Sequence, residues 1–150
     1  MERSVPSAAF PMKTIKAAFP KATHSVPLTM ELELAKKNVL IIGAGGVAQV
    51  VAHKVAQQAA EFGDLHIANR TKSKADAIID SLRAKGHNMP FISHQLDAMD
   101  SEAVEELLRK LDVNIVINVG SAFINMTVLD ACIAAGSAYI DTAIHEDPAK

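Results

Sequence analysis

A short apolar run that leads into a glycine-rich turn constrains the fold of this chain more than any other feature. Residues 38–42 are largely aliphatic, and the pattern G-x-G-x-x-A follows, with Gly43, Gly45 and Ala48 at its defined positions. The first glycine permits a sharp turn after a strand, the second lets a phosphate approach the backbone, and the small third residue lets a helix pack closely on a sheet. Free N–H groups at the start of that helix attract anions. The pattern therefore predicts a strand, a pyrophosphate-binding turn and a helix.

The composition is that of a single globular domain. Of the 150 residues, 49% are hydrophobic, which is enough for a core, and the formal net charge is −2. Because the basic residues are scattered and no apolar run approaches the ~18 residues that span a membrane, we expect neither a nucleic-acid nor a membrane partner. The single cysteine, Cys132, falls on the apolar face of a predicted helix, so we expect it to be buried. No metal site is predicted.

Residues 1–36 differ in composition from the rest of the chain, and we interpret them as a flexible leader. This segment holds four of the six prolines and has no sustained hydrophobic periodicity. It lacks the continuous apolar stretch of a secretory signal, which favours a cytoplasmic protein, although its acid-poor composition also permits an organelle transit peptide. A third interpretation is upstream sequence before a start at Met30.

Strand and helix patterns alternate from residue 38 onward. The predicted strands are 38–42, 65–68, 91–93, 113–119 and 138–140, and the predicted helices are 47–60, 74–84, one that begins at Asp100 or Ser101, and 127–135. The alternation predicts an α/β fold over residues 37–150, a Rossmann-type doubly wound parallel sheet of about five strands with helices on both faces. Within the first helix, Val47, Val51 and Val55 are expected to share one face, beside Ala48, Ala52, Ala56 and Ala59, whereas Gly63 and Asp64 are expected to form a turn.

The residues after the second predicted strand favour NADP(H) over NAD(H). In dinucleotide-binding sheets an acidic residue often binds the adenosine ribose at this point, whereas an Arg suits a 2′-phosphate. Here the strand ends in Asn69 and Arg70, followed by Thr71 and, one turn later, Lys74. Asn69 does not repel a phosphate, and Arg70 can bind one with two charge-assisted hydrogen bonds. The alternative is that Arg70 belongs to the solvated start of a helix capped by Thr71 or Ser73.

Two further strand ends meet the same crevice. Asn118 and Ser121 follow the fourth strand, where small residues leave room for a ribose and a nicotinamide; the alternative is a turn with local side-chain hydrogen bonds. Asp97 and Ala98 follow the third strand, where they could meet the edge of an adenine, or could serve only to start the next helix.

The fifth strand is followed by polar residues on the same side of the sheet. Asp141, Thr142 and His145 come after it and are candidates for the substrate cleft. An ordinary surface role is the alternative for His145, and no catalytic residue is assigned.

Several of these segments together resemble the saccharopine dehydrogenase-like reductases. The similarity extends over about residues 37–150 and includes the glycine turn and the run 66–71. Its most specific parts are the run Ser-Ala-Phe-Ile-Asn-Met at 121–126 and the run Tyr-Ile-Asp-Thr-Ala-Ile-His-Glu at 139–146. These two runs are most similar to those of family members that act in polyamine biosynthesis.

The resemblance implies NADPH-dependent reduction of an imine formed from an aldehyde and a primary amine, here a diamine. By position it assigns Gly43, Gly45, Gly46, Val47 and Ala48 to the pyrophosphate, Asn69, Arg70 and Thr71 to the 2′-phosphate ribose, and Asn118, Ser121 and Ala122 to the surroundings of the nicotinamide. Members of the family continue into a domain that binds substrate and supports a homodimer. We therefore expect this chain to supply the nucleotide-binding part of such an enzyme and to be incomplete as a catalyst.

Two other readings of the sequence remain open. Shikimate dehydrogenases also combine a GAGG turn with an Asn-Arg-Thr strand end, but their substrate domain precedes the nucleotide domain, and their fourth strand leads into a different loop. A domain that senses NADP(H) without catalysis is the second alternative. The short chain favours it, whereas the runs 121–126 and 139–146 disfavour it.

Overall fold

The computed structural model describes residues 36–142. Nearly all of the segment interpreted as a leader, and the cleft candidate His145, lie outside these residues. The described elements are β1 (Lys37–Ile42), α1 (Gly46–Ala56), β2 (Phe62–Asn69), α2 (Lys72–Ala84), β3 (Phe91–Gln95), α3 (Ser101–Lys110), β4 (Val113–Asn118), a short 3-10 turn (Ala122–Ile124), α4 (Asn125–Ala135) and β5 (Ala138–Asp141).

The strands form one parallel sheet in the order β3-β2-β1-β4-β5. The chain moves outward from β1 to β3 on one side, then returns to place β4 on the other side of β1. The order reverses between β1 and β4, and in open α/β sheets ligands bind at this reversal. The predicted α/β Rossmann-type fold is confirmed.

Each face of the sheet carries its own hydrophobic core. Along β1, Val39 and Ile41 pack against α1 and α2, whereas Leu40 and Ile42 pack against α3 and α4. Successive side chains of a strand point to opposite faces, so an unbroken apolar strand serves both cores. Cys132 of α4 is 1% exposed within the second core, as predicted. Among the helices that the structure describes, none is long and apolar enough to cross a bilayer.

Helix α1 differs from its prediction at Val47 and at its end. Val55 is buried and Val51 half-buried, but Val47 is 53% exposed. Positions four apart advance about 40° around a helix, so a series of three drifts away from the core. The predicted alanines do face the sheet, with Ala48 and Ala52 fully buried. The helix ends at Ala56 rather than at residue 60.

The predicted turn at Gly63 and Asp64 is wrong, because both residues lie inside β2. The Asn38 side chain explains why a glycine occurs there: its Oδ1 accepts a hydrogen bond from the Asp64 N–H at 3.0 Å, and a Cβ on Gly63 would collide with that same oxygen. The Asn38 amide group also donates to the Leu111 carbonyl at 3.1 Å. A glycine within a strand often marks such a close approach.

Candidate dinucleotide-binding site

Backbone hydrogen bonds hold the carboxyl ends of four strands together. The Gly43 N–H donates to the Ala68 carbonyl at 2.9 Å, which ties the glycine turn to β2. The Val119 N–H donates to the Ile42 carbonyl at 2.9 Å and ties the end of β4 to β1. The loop after β3 is joined to β2 in the same way, by the Leu96 N–H. The loops singled out in the sequence therefore share one edge of the sheet.

The glycine turn has the geometry that a phosphate requires. Gly43 has a φ of +112°, which side chains rarely adopt, and nothing lies within 4 Å of a Cβ placed on Gly45 or Gly46. The first hydrogen bond within α1 runs from the Gln49 N–H to the Gly45 carbonyl, so the preceding N–H groups have no partner in the helix. Ala48 is fully buried against the sheet. The side chain of Val47 points outward, so only its backbone N–H is suited to a phosphate.

A hollow of about 280 Å³ lies between the loops after β2, β3 and β4. Six predicted site residues line it: Gly43, Asn69, Arg70, Asp97, Ala98 and Ser121. Its other walls were not predicted as site residues; they are Ile42, Ala68, Leu96, Met99, Gly120, Phe123 and Ile124. Most of these are apolar, and Phe123 is 73% exposed at the rim. An apolar floor with a few polar groups at its edge is typical of ligand sites.

A second hollow, of about 310 Å³, lies on the other side of the glycine turn. Gly45, Gly46 and Gln49 line it from α1, and Lys74 lines it from α2. Lys74 therefore lies near the N-terminus of α1, in a different hollow from the one that Arg70 lines. Arg70 lines the first hollow and Lys74 lines the second, so each hollow has one of these two cations on its wall.

The charged residues at the tip of β2 divide into two kinds. Lys72 forms an ion pair with Asp76 at 2.9 Å, as expected for the solvated start of a helix. Arg70 is exposed and makes no hydrogen bond or ion pair with any residue of the range 36–142. The Asn69 amide donates to the Thr71 carbonyl at 3.0 Å. Thr71 occupies the N-cap position of α2, but its hydroxyl makes no capping hydrogen bond.

The residues after β3 combine a buried and an exposed member. Ala98 is buried in the second core, and Asp97 is exposed. Asp97 Oδ1 accepts a hydrogen bond from the Met99 N–H at 3.1 Å, and Asp100 caps α3 by accepting from the Ala103 N–H at 3.1 Å. Helix entry therefore depends on Asp100, and one carboxylate oxygen of Asp97 stays available to the hollow.

Asn118, at the end of β4, is 2% exposed, and its amide group is fully used. Oδ1 accepts from the Gly120 N–H at 3.1 Å, while Nδ2 donates to Asn125 Oδ1 at 2.9 Å and to the Tyr139 hydroxyl at 3.3 Å. This arrangement favours the alternative in which Asn118 shapes a turn. Ser121 Oγ accepts from the Phe123 N–H at 3.4 Å and lines the first hollow; Ala122 starts the short 3-10 turn beside it.

The end of β5 connects to this same group. Tyr139 donates from its hydroxyl to Asp141 Oδ2 at 3.0 Å. Burial raises the pKa of Tyr139 to about 12, so the hydroxyl stays protonated and can donate. Asp141 and Thr142 are exposed at the carboxyl edge. Sequence reasoning missed Asn125 and Tyr139 as members of this network, since no spacing rule links a helix start to a neighbouring strand.

The model of one protein family matches residues 39–150, and its description is saccharopine dehydrogenase NADP binding domain. The chain belongs to this family. The match covers the glycine turn, the tip of β2 and both of the runs on which the resemblance was based. The resemblance stated from the sequence is therefore confirmed.

Relatives and one solved structure agree with this assignment. The chain is 36% identical over 114 residues to a carboxynorspermidine synthase of Vibrio cholerae, a match covering 73% of this chain and 28% of that protein. It is 38% identical over 113 residues to a carboxyaminopropylagmatine dehydrogenase of Synechocystis, covering 73% of this chain and 26% of that protein. The apo saccharopine dehydrogenase (L-Glu forming) of Saccharomyces cerevisiae superposes with a TM-score of 0.53 at 27% identity, over 75% of this chain and 23% of that one. The chain thus spans about a quarter of each of these proteins.

Proposed function

We propose that this chain binds NADP(H) and forms the nucleotide-binding part of an oxidoreductase that reduces an imine made from an aldehyde and an amine. The observation that carries the cofactor assignment is Arg70. Its guanidinium stands at the tip of β2 without a partner among the described residues, beside Asn69, where an NAD-binding site often has a carboxylate. A free guanidinium next to a neutral amide suits a 2′-phosphate.

The two hollows suggest how the cofactor would lie across the sheet edge. The pyrophosphate would meet the N–H groups at the start of α1, and the adenine would enter the first hollow beside Asp97 and Ala98. The 2′-phosphate would be bound by Arg70 and Lys74, which line the first and the second hollow respectively. The nicotinamide half would extend past Ser121 toward β5.

The reaction class rests on the family and on the named relatives. NADPH would supply the hydride that reduces the imine carbon, giving a secondary amine. The residues of this chain would hold and orient the cofactor; none of the described side chains is assigned as the proton donor. The names of the two curated relatives favour a substrate built from a diamine or a related amine.

Fluorescence titration with NADPH and NADH tests the cofactor assignment, with Arg70→Ala as the variant. A well-made hydrogen bond to a charged group contributes about 1.5–3 kcal/mol, so Arg70→Ala should weaken NADPH about 10- to 100-fold and leave NADH unchanged. Lys72→Ala is the matched control, because it removes the same charge nearby from a lysine that already pairs with Asp76. Equal weakening by the two variants would contradict the specific role of Arg70.

A chimera tests the reaction class. Residues 39–150 of this chain would replace the matching segment of the Vibrio cholerae carboxynorspermidine synthase, to which the chain is 36% identical. We expect the chimera to retain NADPH-dependent synthase activity. A folded chimera that binds NADPH but shows no synthase activity would count against the imine-reductase assignment and leave the cofactor assignment intact.

A further inference from the structure

A chain of hydrogen bonds joins the end of β5 to the loop that walls the first hollow. It starts at Asp141, passes through the Tyr139 hydroxyl to the Asn118 amide, and ends at the N–H of Gly120. Tyr139 and Asp141 are two residues apart on one strand, so they share a face of the sheet. Asp141 is also the register partner of Asn118 across the β4–β5 pair.

The Asn118 amide can hold only one orientation in this network. Its Nδ2 has two hydrogens and both are donated, one to Asn125 and one to Tyr139, while its oxygen accepts from Gly120. Since Asn118 is buried, a lost partner would leave a polar group unsatisfied away from water. The Tyr139 hydroxyl accepts a hydrogen bond from Asn118 and donates one to Asp141, so it acts as both acceptor and donor in the network.

The turn held by this network has neighbours on two sides. Gly120 lines the first hollow together with Ser121 and Ile124. A Cβ on Gly120 would lie 2.9 Å from Ile124 Cδ1, and a Cβ on Gly43 would lie 3.0 Å from the Gly120 nitrogen. Gly120 therefore packs against the backbone of the glycine turn on one side and against the end of the Ile124 side chain on the other, so its position affects both neighbours.

We infer that Tyr139 is a positioning residue for cofactor binding, which acts through Asn118 to fix the Gly120 turn and thereby the β4 wall of the first hollow, past which the nicotinamide half would extend. This inference rests on the proposed function. The adenine would lie in the same hollow but beside Asp97 and Ala98, which follow β3. A positioning role should therefore weaken the nicotinamide half more than the adenosine half, whereas a general loss of stability affects both equally.

Tyr139→Phe tests the inference, because it removes only the hydroxyl. The ligands are NADPH, which fills both halves of the site, and adenosine 2′,5′-bisphosphate, which fills only the adenosine half. We expect NADPH to bind about three- to tenfold more weakly, the range for one neutral hydrogen bond, and the bisphosphate to be weakened clearly less. Equal weakening of both ligands, or of neither, would overturn the inference.

Ser137→Ala is the matched control. Its hydroxyl also joins β5 to β4, by donating to the Val113 carbonyl at 2.7 Å, but at the opposite end of the strands from the cleft. We expect Ser137→Ala to leave the affinity for NADPH unchanged, whatever it does to the melting temperature. An equal loss of NADPH affinity in both variants would assign Tyr139 a purely structural role.

Amide hydrogen exchange in the ligand-free protein separates this inference from the proposed function. With the Tyr139 hydroxyl removed, the Gly120 N–H should exchange faster, because its acceptor on Asn118 loses one of its restraints. The Leu96 N–H, bonded to Asn69 across the cleft, serves as the reference and should not change. Unchanged exchange at Gly120 would refute the positioning role even if NADPH binds. Faster exchange in a protein that binds no NADPH would refute the proposed function and leave only the structural coupling.

Discussion

A Cβ atom placed on Gly43 would lie 3.0 Å from the backbone nitrogen of Gly120 and 3.1 Å from the carbonyl group of Val119. Nine in ten real Cβ contacts are looser than this. The turn after β1 and the turn after β4 therefore pack backbone to backbone at the point where the strand order reverses. This contact keeps side chains out of the cleft floor, where a dinucleotide has to approach the main chain.

Gly43→Ala should mainly lower the stability of the domain, whereas Gly45→Ala should mainly lower its affinity for NADPH. At Gly43 a side chain meets both a strained φ of +112° and the Gly120 backbone, so the variant should lose about 1–3 kcal/mol of unfolding free energy. At Gly45 a Cβ touches nothing within 4 Å, so stability should hardly change. That Cβ would, however, occupy the approach of the pyrophosphate, and the affinity for NADPH should fall by roughly tenfold or more, about 1.4 kcal/mol.

Urea unfolding and cofactor titration, each applied to both variants, check this pair of expectations. A Gly45→Ala protein that binds NADPH normally would show that the pyrophosphate lies elsewhere. A Gly43→Ala protein of full stability would show that the two turns can separate without cost.

Asn69→Asp should shift the cofactor preference toward NADH. The new carboxylate would repel a 2′-phosphate and would offer the ribose hydroxyls of NADH an acceptor. For an exposed pair of charges, repulsion of about 1 kcal/mol corresponds to roughly fivefold weaker binding of NADPH. Isothermal titration with both cofactors at one fixed ionic strength measures the shift, since salt screens the interaction. An unchanged ratio of the two affinities would place the 2′-phosphate away from β2.

The stability of the domain should fall as the pH drops below about 6.5. His66 of β2 and His94 of β3 face each other with Nδ1 and Nε2 3.0 Å apart, and burial lowers the pKa of both. The unfolded chain therefore binds protons that the folded chain resists, so stability is present above the unfolded pKa and is lost as the pH falls. Asp64 opposes the shift at His66, whereas Lys110 and Lys72 reinforce it at His94.

His94→Gln checks this pH dependence, because glutamine keeps a hydrogen-bonding partner for His66 without adding a titrating group. Melting temperatures between pH 7.5 and 5.5 should fall less steeply for the variant than for the natural chain. Staying above pH 5.5 keeps most carboxylates ionised, so their titration does not enter the comparison. Parallel curves for the two proteins would show that another group controls the dependence.

The alternation of apolar strands and amphipathic helices was enough to predict the fold, because the central strand of a doubly covered sheet, β1, is apolar on both of its faces. Helix α2 buries Ala75, Ile78, Ile79 and Leu82, which the helical period of the apolar residues places on one face. The errors occur where a tertiary contact overrides a local pattern. Gly63 marks a turn by local rules, but in the fold its missing side chain makes room for Asn38, which is distant in sequence.

The part of the candidate site that depends on a motif or on topology was also predictable from the sequence. A motif fixes Gly43 and Gly45, and topology alone brings the ends of β2, β3 and β4 together, so Arg70 and Asp97 were found from the sequence. The Asn118 network was not, because it depends on which rotamers meet across β4, α4 and β5. Nothing in the local sequence shows that Asn118 would point into the protein rather than into the cleft.

Cys132 offers a direct measure of how cofactor binding stabilises the second core. It is the only cysteine in the sequence, is 1% exposed, and has a thiol pKa that burial raises to about 11, so the native protein should react very slowly with iodoacetamide at pH 8. Alkylation then requires α4 to open. Because NADPH should bind only the closed form, a concentration 100-fold above its Kd should slow alkylation by about 100-fold, or about 2.7 kcal/mol. The same experiment on the Arg70→Ala protein should need a proportionally higher NADPH concentration for equal protection. Rapid alkylation of the native protein would show that Cys132 reacts without the opening of α4. An alkylation rate that NADPH does not change would show that this opening is independent of the proposed site.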